Sequence, residues 1–309
     1  MLRTTLLAAS RSPRTRGLVE QLPPTRALVQ RFIAGDNLDQ AVAITDELVG
    51  AGRRISLDHL GEDTLDGAQA AATVTAYEQL LGALGETGLA DRAEVSVKLS
   101  AVGQSLPLDG ERIALDNARR ICEAAAAAGT TVTLDMEDHT TTDSTLAIAR
   151  ELRADFPWLG VVLQAYLHRT EADCADLAVA GSRVRLCKGA YQEPASVAFQ
   201  SKAEVDRAYV RCLRTLMHGD GYPMVASHDP RLIRIAGQLA QWQNRKADSF
   251  EYQMLYGIRP EEQQRLVDTG ATMRIYLPYG GEWYGYFMRR LAERPANLAF
   301  FLRALATRT

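Results

Sequence analysis

No apolar run in the 309 residues is long enough to span a bilayer. Cysteine is scarce. Cys122, Cys174, Cys187 and Cys212 show neither a CxxC pair nor a metal-ligand spacing, and they read as reduced, mostly buried thiols of a cytosolic protein. An excess of one charge sign is also missing. The net charge is −3, so there is no global electrostatic case for nucleic acid. There is no GxGxxG, the phosphate turn that an open doubly wound sheet usually carries. No linker, repeat or low-complexity segment stands out beyond the alanine run at 124–128, which is simply a good helix former. What remains is the composition of a soluble globular protein, 47% hydrophobic and 24% charged.

The first residues are the most biased. Arg3, Arg11, Arg14 and Arg16 precede the first acid, Glu20. Transit peptides share that bias, but the segment reads better as an amphipathic helix whose basic face is solvated or touches lipid headgroups. Residues 1–50 are expected to form two or three helices that cap or flank the rest.

From Arg53 onward, short β-branched runs alternate with long helical ones. The expected strands are 53–58, 94–100, 130–136, 160–166, 183–189, 222–228, 249–255 and 271–277. Their mean spacing of about 31 residues is that of one βα unit. Helices are expected over 115–129 with Gly129 as C-cap, over 202–219 with Gly219 as C-cap, and over 230–243 with Pro230 in the first turn. Eight such units over 51–309 predict an α/β fold, a closed (β/α)8 TIM-type barrel with extra N-terminal helices.

In that architecture the chemistry sits at the carboxyl ends of the strands. Lys98, Asp135, Gln164, Arg185, Lys188, Ser227, His228 and Tyr276 are read there. Burying any one of these charges unpaired would cost several kcal/mol. Arg289 and Arg290 add two neighbouring guanidiniums near the end of the chain, among Tyr276, Tyr279, Trp283, Tyr284, Tyr286 and Phe287. A planar fork of donors suits a carboxylate, although Glu293 could pair with both arginines on a solvated helix face. Lys98, Arg185, Lys188, Arg289 and Arg290 together predict a basic mouth that takes phosphates, a carboxylate, or both. The alternating Asp135, Glu137 and His139 could be read as metal ligands, but carboxylate-rich ends of βα loops also serve as N-caps, Asp143 before Ser144 reads as helix initiation, and no metal is expected. His59, His168 and His218 have no spacing that favours one.

The segments SVKLS (96–100), LDMED (134–138), VVLQAYL (161–167), RLCKGAY (185–191), ASHD (226–229), FEYQMLYG (250–257), MRIYLPYG (273–280) and WYGYFMRRLAERPANLAF (283–300) resemble, in order, those of the monofunctional bacterial proline dehydrogenases. The resemblance implies an FAD-dependent oxidation of L-proline to Δ1-pyrroline-5-carboxylate, with electrons passed to a membrane quinone. It implies that Lys98, Arg289 and Arg290 bind the proline carboxylate. Asp135 and Arg185 would carry catalysis, with Tyr276, Tyr191 and Leu255 around the substrate ring. Met136, Gln164, Arg185, Lys188, Gly189, Ala190, Ser227 and His228 would hold the flavin and its phosphates. Asp135 is expected to hold the Lys98 ammonium in place. The implied location is the cytoplasm, with peripheral contact at the inner face of the membrane through the arginine-rich start. A separate pyrroline-5-carboxylate dehydrogenase is the expected partner. Two other readings stay open on the residues alone: a Schiff-base aldolase using Lys98 or Lys188, and a flavin- or phosphate-binding sensor without turnover.

Overall fold

Side chains on a strand alternate between its two faces, and here the alternation divides apolar from polar. In β1 (Arg54–His59), Ile55 and Leu57 join the hydrophobic core while Ser56 and Asp58 are buried polar residues. In β2 (Ala93–Val97), Val95 and Val97 join that core while Glu94 and Ser96 do not. Similar two-residue rhythms run through β3 (Val132–Leu134), β5 (Arg183–Cys187), β7 (Glu251–Leu255) and β8 (Met273–Tyr279). With β4 (Gly160–Gln164) and β6 (Tyr222–Ala226), these strands pair in parallel in sequence order, and β8 closes on β1. The computed structural model describes residues 29–61, 64, 66–284 and 286–287.

Helices α1 (Leu38–Gly50), α2 (Gly67–Glu86), α3 (Gly110–Ala128), α4 (Thr142–Leu152), α5 (Thr170–Leu177), α6 (Lys202–His218), α7 (Pro230–Trp242) and α8 (Pro260–Asp268) accompany the strands. Their local signals are clear. Ser201 and Glu204 form a capping box at α6. Asp229 caps α7, whose first residue is Pro230. Gly129 ends α3 in the left-handed region, φ +77°. Asp138 accepts from Thr140 N at 2.8 Å and so caps the short 3-10 turn before α4, while Asp143, the residue expected to initiate the helix, lies within its first turn. The main core lies between the outer face of the barrel and these helices. Burial pushes the Cys122 and Cys187 thiols up to about 12 and about 11, which keeps them neutral. No helix among the described residues is long and apolar enough to cross a membrane.

The sequence reading finds all eight strands but runs several of them too far. Residues 98–100 and 135–136 lie beyond the ends of β2 (Val97) and β3 (Leu134), although Asp135 N still donates to the Val97 carbonyl at 2.8 Å. The reading also puts Arg185 and Tyr276 at strand ends. Both sit inside their strands, two and three residues before the last. Residues 1–28, where most of the N-terminal helical segment was expected, lie outside the described residues; within the rest of that segment α1 spans Leu38–Gly50.

Below the mouth the barrel interior is ionic rather than aliphatic. Glu94 pairs with Arg183 at 2.6 Å and with Arg185 and Arg274 at 3.7 Å each. Arg274 also pairs with Glu251 at 2.7 Å and donates to the carbonyl of Ile55 at 2.8 Å. Burial opposes a charge on Glu94, but the three guanidiniums overcome it and hold the carboxyl well below the usual carboxylate range.

Candidate active site

One connected network crosses the mouth from β1 to β5. Lys98, just past β2, donates to Asp58 Oδ2 at 2.6 Å. It lies 3.4 Å from Tyr276 Oη and 3.9 Å from Asp135 Oδ2. Tyr276 donates its hydroxyl to Asp135 Oδ2 at 2.6 Å. Burial, with Asp135 and Asp58 adding to it, raises the Tyr276 hydroxyl well above its ordinary value, so it stays a donor. Asp135 Oδ1 accepts from Arg185 Nη1 at 2.6 Å and from Ser96 Oγ at 2.7 Å. Arg185 Nη2 donates to Ser56 Oγ at 2.9 Å, and the guanidinium stands 5.2 Å from the Tyr276 ring centroid. Five strands therefore feed the network: β1 with Ser56 and Asp58, β2 with Ser96 and, just past its end, Lys98, β3 with Asp135 just past its end, β5 with Arg185 and β8 with Tyr276.

Asp58, Ser56 and Ser96 are members not expected from the sequence, and Asp58 is the charged one among them. It is 1% exposed, and Oδ1 has no hydrogen-bond partner. Burial raises its carboxyl above the ordinary value, against the pull of Lys98. The mouth is accordingly less basic than expected. Asp58 offsets Lys98, Asp135 offsets Arg185, and Asp206 and Asp229 pair with Lys188 at 2.5 and 3.4 Å. Nor is Asp135 the main holder of the Lys98 ammonium, since Asp58 is closer by more than an ångström. Arg289 and Arg290 lie outside the described residues.

The remaining expected residues fall around this network. Gln164 donates from Nε2 to the carbonyls of Met136 and Glu137 at 3.1 and 3.0 Å, while its buried Oε1 has no partner. Gly189 takes φ +105°, a conformation that glycine alone adopts cheaply. Ala190 and Tyr191 follow on an exposed loop, Tyr191 at 38%. Ser227 Oγ accepts from Asp229 N at 3.1 Å. His228 Nε2 accepts from Leu255 N at 3.0 Å, which puts the proton of a neutral ring on Nδ1. Leu255 also borders a second apolar cluster, in which Phe32, Ile33, Leu60 and Ile258 meet Tyr284 and Phe287. That cluster joins the aromatic stretch at 283–287 to the loops after β1 and β7. Glu137, by contrast, is spent on Ser100, accepting from its N at 3.0 Å and its Oγ at 2.6 Å. These bonds to Ser100 and the capping role of Asp138 account for the acidic segment without a metal.

A sequence profile of the family described as proline dehydrogenase matches residues 41–303. This chain belongs to the proline dehydrogenase family. Membership makes it an oxidoreductase of proline catabolism. Proline dehydrogenase of Deinococcus radiodurans is 40% identical over 291 residues, 93% of each chain. Proline dehydrogenase 1 of Bacillus subtilis (strain 168) is 38% identical over 281 residues, 91% of each. Among solved structures, proline utilization A (PutA) of Bdellovibrio bacteriovorus inactivated by N-propargylglycine shares the fold with a TM-score of 0.81 at 26% identity. That match covers 87% of this chain but only 33% of the larger protein. The aldolase reading loses its ground here. Both candidate lysines are ion-paired, and the family is one of oxidoreductases.

Proposed function

We propose that this chain oxidises L-proline to Δ1-pyrroline-5-carboxylate with FAD as cofactor. The observation that carries the reading is the Asp58–Lys98–Tyr276–Asp135–Arg185 network at the mouth of a barrel of this family. The residues present fit a flavin. Gln164 keeps a buried acceptor without a partner, suited to the edge of a ring that offers an N–H. Gly189 and Ala190 let backbone N–H groups approach an anion closely, with Lys188 as a neighbouring charge. Met136, Gln164, Arg185, Lys188, Gly189, Ala190, Ser227 and His228 would hold the cofactor. When bound, the flavin supplies the hydride acceptor that this two-electron oxidation needs.

The chain's own residues supply orientation. Lys98, Arg289 and Arg290 grip the proline carboxylate and set which ring carbon faces the acceptor. Asp135 and Tyr276 fix the position of Arg185, and Leu255 and Tyr191 flank the substrate ring. The cations favour loss of the amine proton that the oxidation requires. Electrons pass on to a membrane quinone, and the arginine-rich residues 1–31 aid contact with anionic lipid. The product goes to a separate pyrroline-5-carboxylate dehydrogenase. In support, Escherichia coli PutA, a relative 26% identical, is named a bifunctional protein, and this chain spans 24% of its length.

The visible spectrum of the purified protein tests the reading. Oxidised-flavin bands that bleach on adding proline are expected. Bands that persist with proline alone, and a dye acceptor that proline leaves unreduced, would favour the sensor reading instead. Arg289→Met and Arg290→Met should each raise the proline KM roughly tenfold or more, since a charged hydrogen bond contributes about 1.5–3 kcal/mol. Unchanged binding to anionic vesicles after deletion of residues 1–31 would remove the lipid contact.

A further inference from the structure

The loop after β5 contains a buried acid in an exposed setting. Ala190, Tyr191 and Gln192 are exposed, and so is Pro194, yet the Glu193 side chain is 4% exposed. An ionised group in that position is costly unless its bonds are made. They are made to two other loops. Glu193 Oε1 accepts from His139 N at 2.9 Å and from Tyr166 Oη at 3.3 Å, and Oε2 meets the His139 ring at Nδ1. His139 follows β3, and Tyr166 follows β4. The loops after three consecutive strands therefore meet on one carboxylate.

Between Lys188 and Glu193 the chain forms a short arch with both ends tied. At the first end, the Lys188 carbonyl accepts from Tyr166 N at 2.9 Å, and its ammonium is held by Asp206 and Asp229. At the second end stands Glu193. Tyr166 belongs to both supports, because its ring also lies against Gly189, where a β-carbon would collide with it. We propose that Glu193 is a positioning residue for the flavin, fixing the Gly189–Gln192 arch through His139 and Tyr166. This rests on the flavin reading above. An arch ordered only on binding would cost affinity, and one held in advance avoids that cost.

Titration of flavin-free protein with FAD, followed by flavin fluorescence, tests the proposal. Glu193→Ala should raise the Kd for FAD roughly 10- to 100-fold. Glu193→Gln should recover most of the loss, because its amide oxygen still accepts from His139 N and Tyr166 Oη. A Kd for Glu193→Ala equal to that of the wild type overturns the proposal. If Glu193→Ala does not fold, His139→Ala decides, since it removes only the ring contact. A Kd several-fold above wild type supports the arch, and an unchanged one overturns it. Wild-type protein that takes up no flavin ends the flavin reading and the proposal together. Equal uptake by wild type and variants ends the proposal alone.

Discussion

Lys98 Nζ lies 2.6 Å from Asp58 Oδ2, joining the ends of two adjacent strands across the mouth of the barrel. The contact fixes the cation that is expected to meet the substrate carboxylate, and it does so from a side chain with almost no exposure.

Asp58→Asn keeps the shape but removes the charge. The Lys98 ammonium then loses its nearest anion and shifts toward Asp135. The proline KM should rise roughly tenfold, as expected for loss of one charged hydrogen bond, while flavin content stays at the wild-type level. Steady-state kinetics with a dye acceptor, beside the flavin-to-protein absorbance ratio, reads both. A wild-type KM would mean that Lys98 needs no such anchor.

Arg185→Lys separates charge from geometry. A lysine cannot reach Asp135 and Ser56 at once with a planar fork. Turnover should fall at least about tenfold, with only a modest drop in thermal midpoint. Arg185→Met leaves Asp135 without its nearest cation, with only Lys98 at 3.9 Å, and should lower stability by up to about 3–5 kcal/mol. Similar melting curves for both variants would show that the ion pair contributes little.

Glu94 gives the fold a pH dependence of known sign. Its folded value is depressed below the ordinary 4.5, so the unfolded chain binds the proton more readily. The stabilisation is full above about pH 4.5 and is lost as the pH falls further, toward the folded value. Glu94→Gln should lower stability at pH 7, and its deficit against wild type should narrow in acid. Urea midpoints measured at pH 7 and at pH 3 test this, and a constant gap would contradict it.

Gly189→Ala forces a β-carbon into positive φ and against the Tyr166 ring. The conformational part alone costs about 1–2 kcal/mol. Flavin retention on gel filtration should fall, with little change in far-UV circular dichroism. Full retention would show that the arch tolerates a side chain.

The barrel is legible because its βα period and helix-stop residues are local signals. Gly129 and Pro230 act where they stand in the sequence, and the structure uses both as read. Lys98, Asp135, Arg185 and Tyr276 can be found as polar residues near strand ends, and they meet. Asp58, Ser56, Ser96 and Glu94 escape that reading, yet they carry a signal of their own. Glu94, Ser96 and Lys98 fall on every second residue, as do Thr131, Thr133 and Asp135. In a strand, that rhythm marks one face, so polar residues in step with a known site residue line the same interior. What the sequence does not reveal is pairing. Only the three-dimensional closure of the barrel shows which carboxylate offsets which cation, Asp58 with Lys98 and Asp135 with Arg185.

Arg185 answers to two neighbours at once, Asp135 above and Glu94 below. A designer who rebuilt the lower layer with leucines and valines, seeking heat resistance, would cut the lower tether of a guanidinium that the upper layer depends on. On the role proposed for Arg185, robustness and turnover share a single component, and gains in one should be sought on the outer helices, where changes leave that component alone.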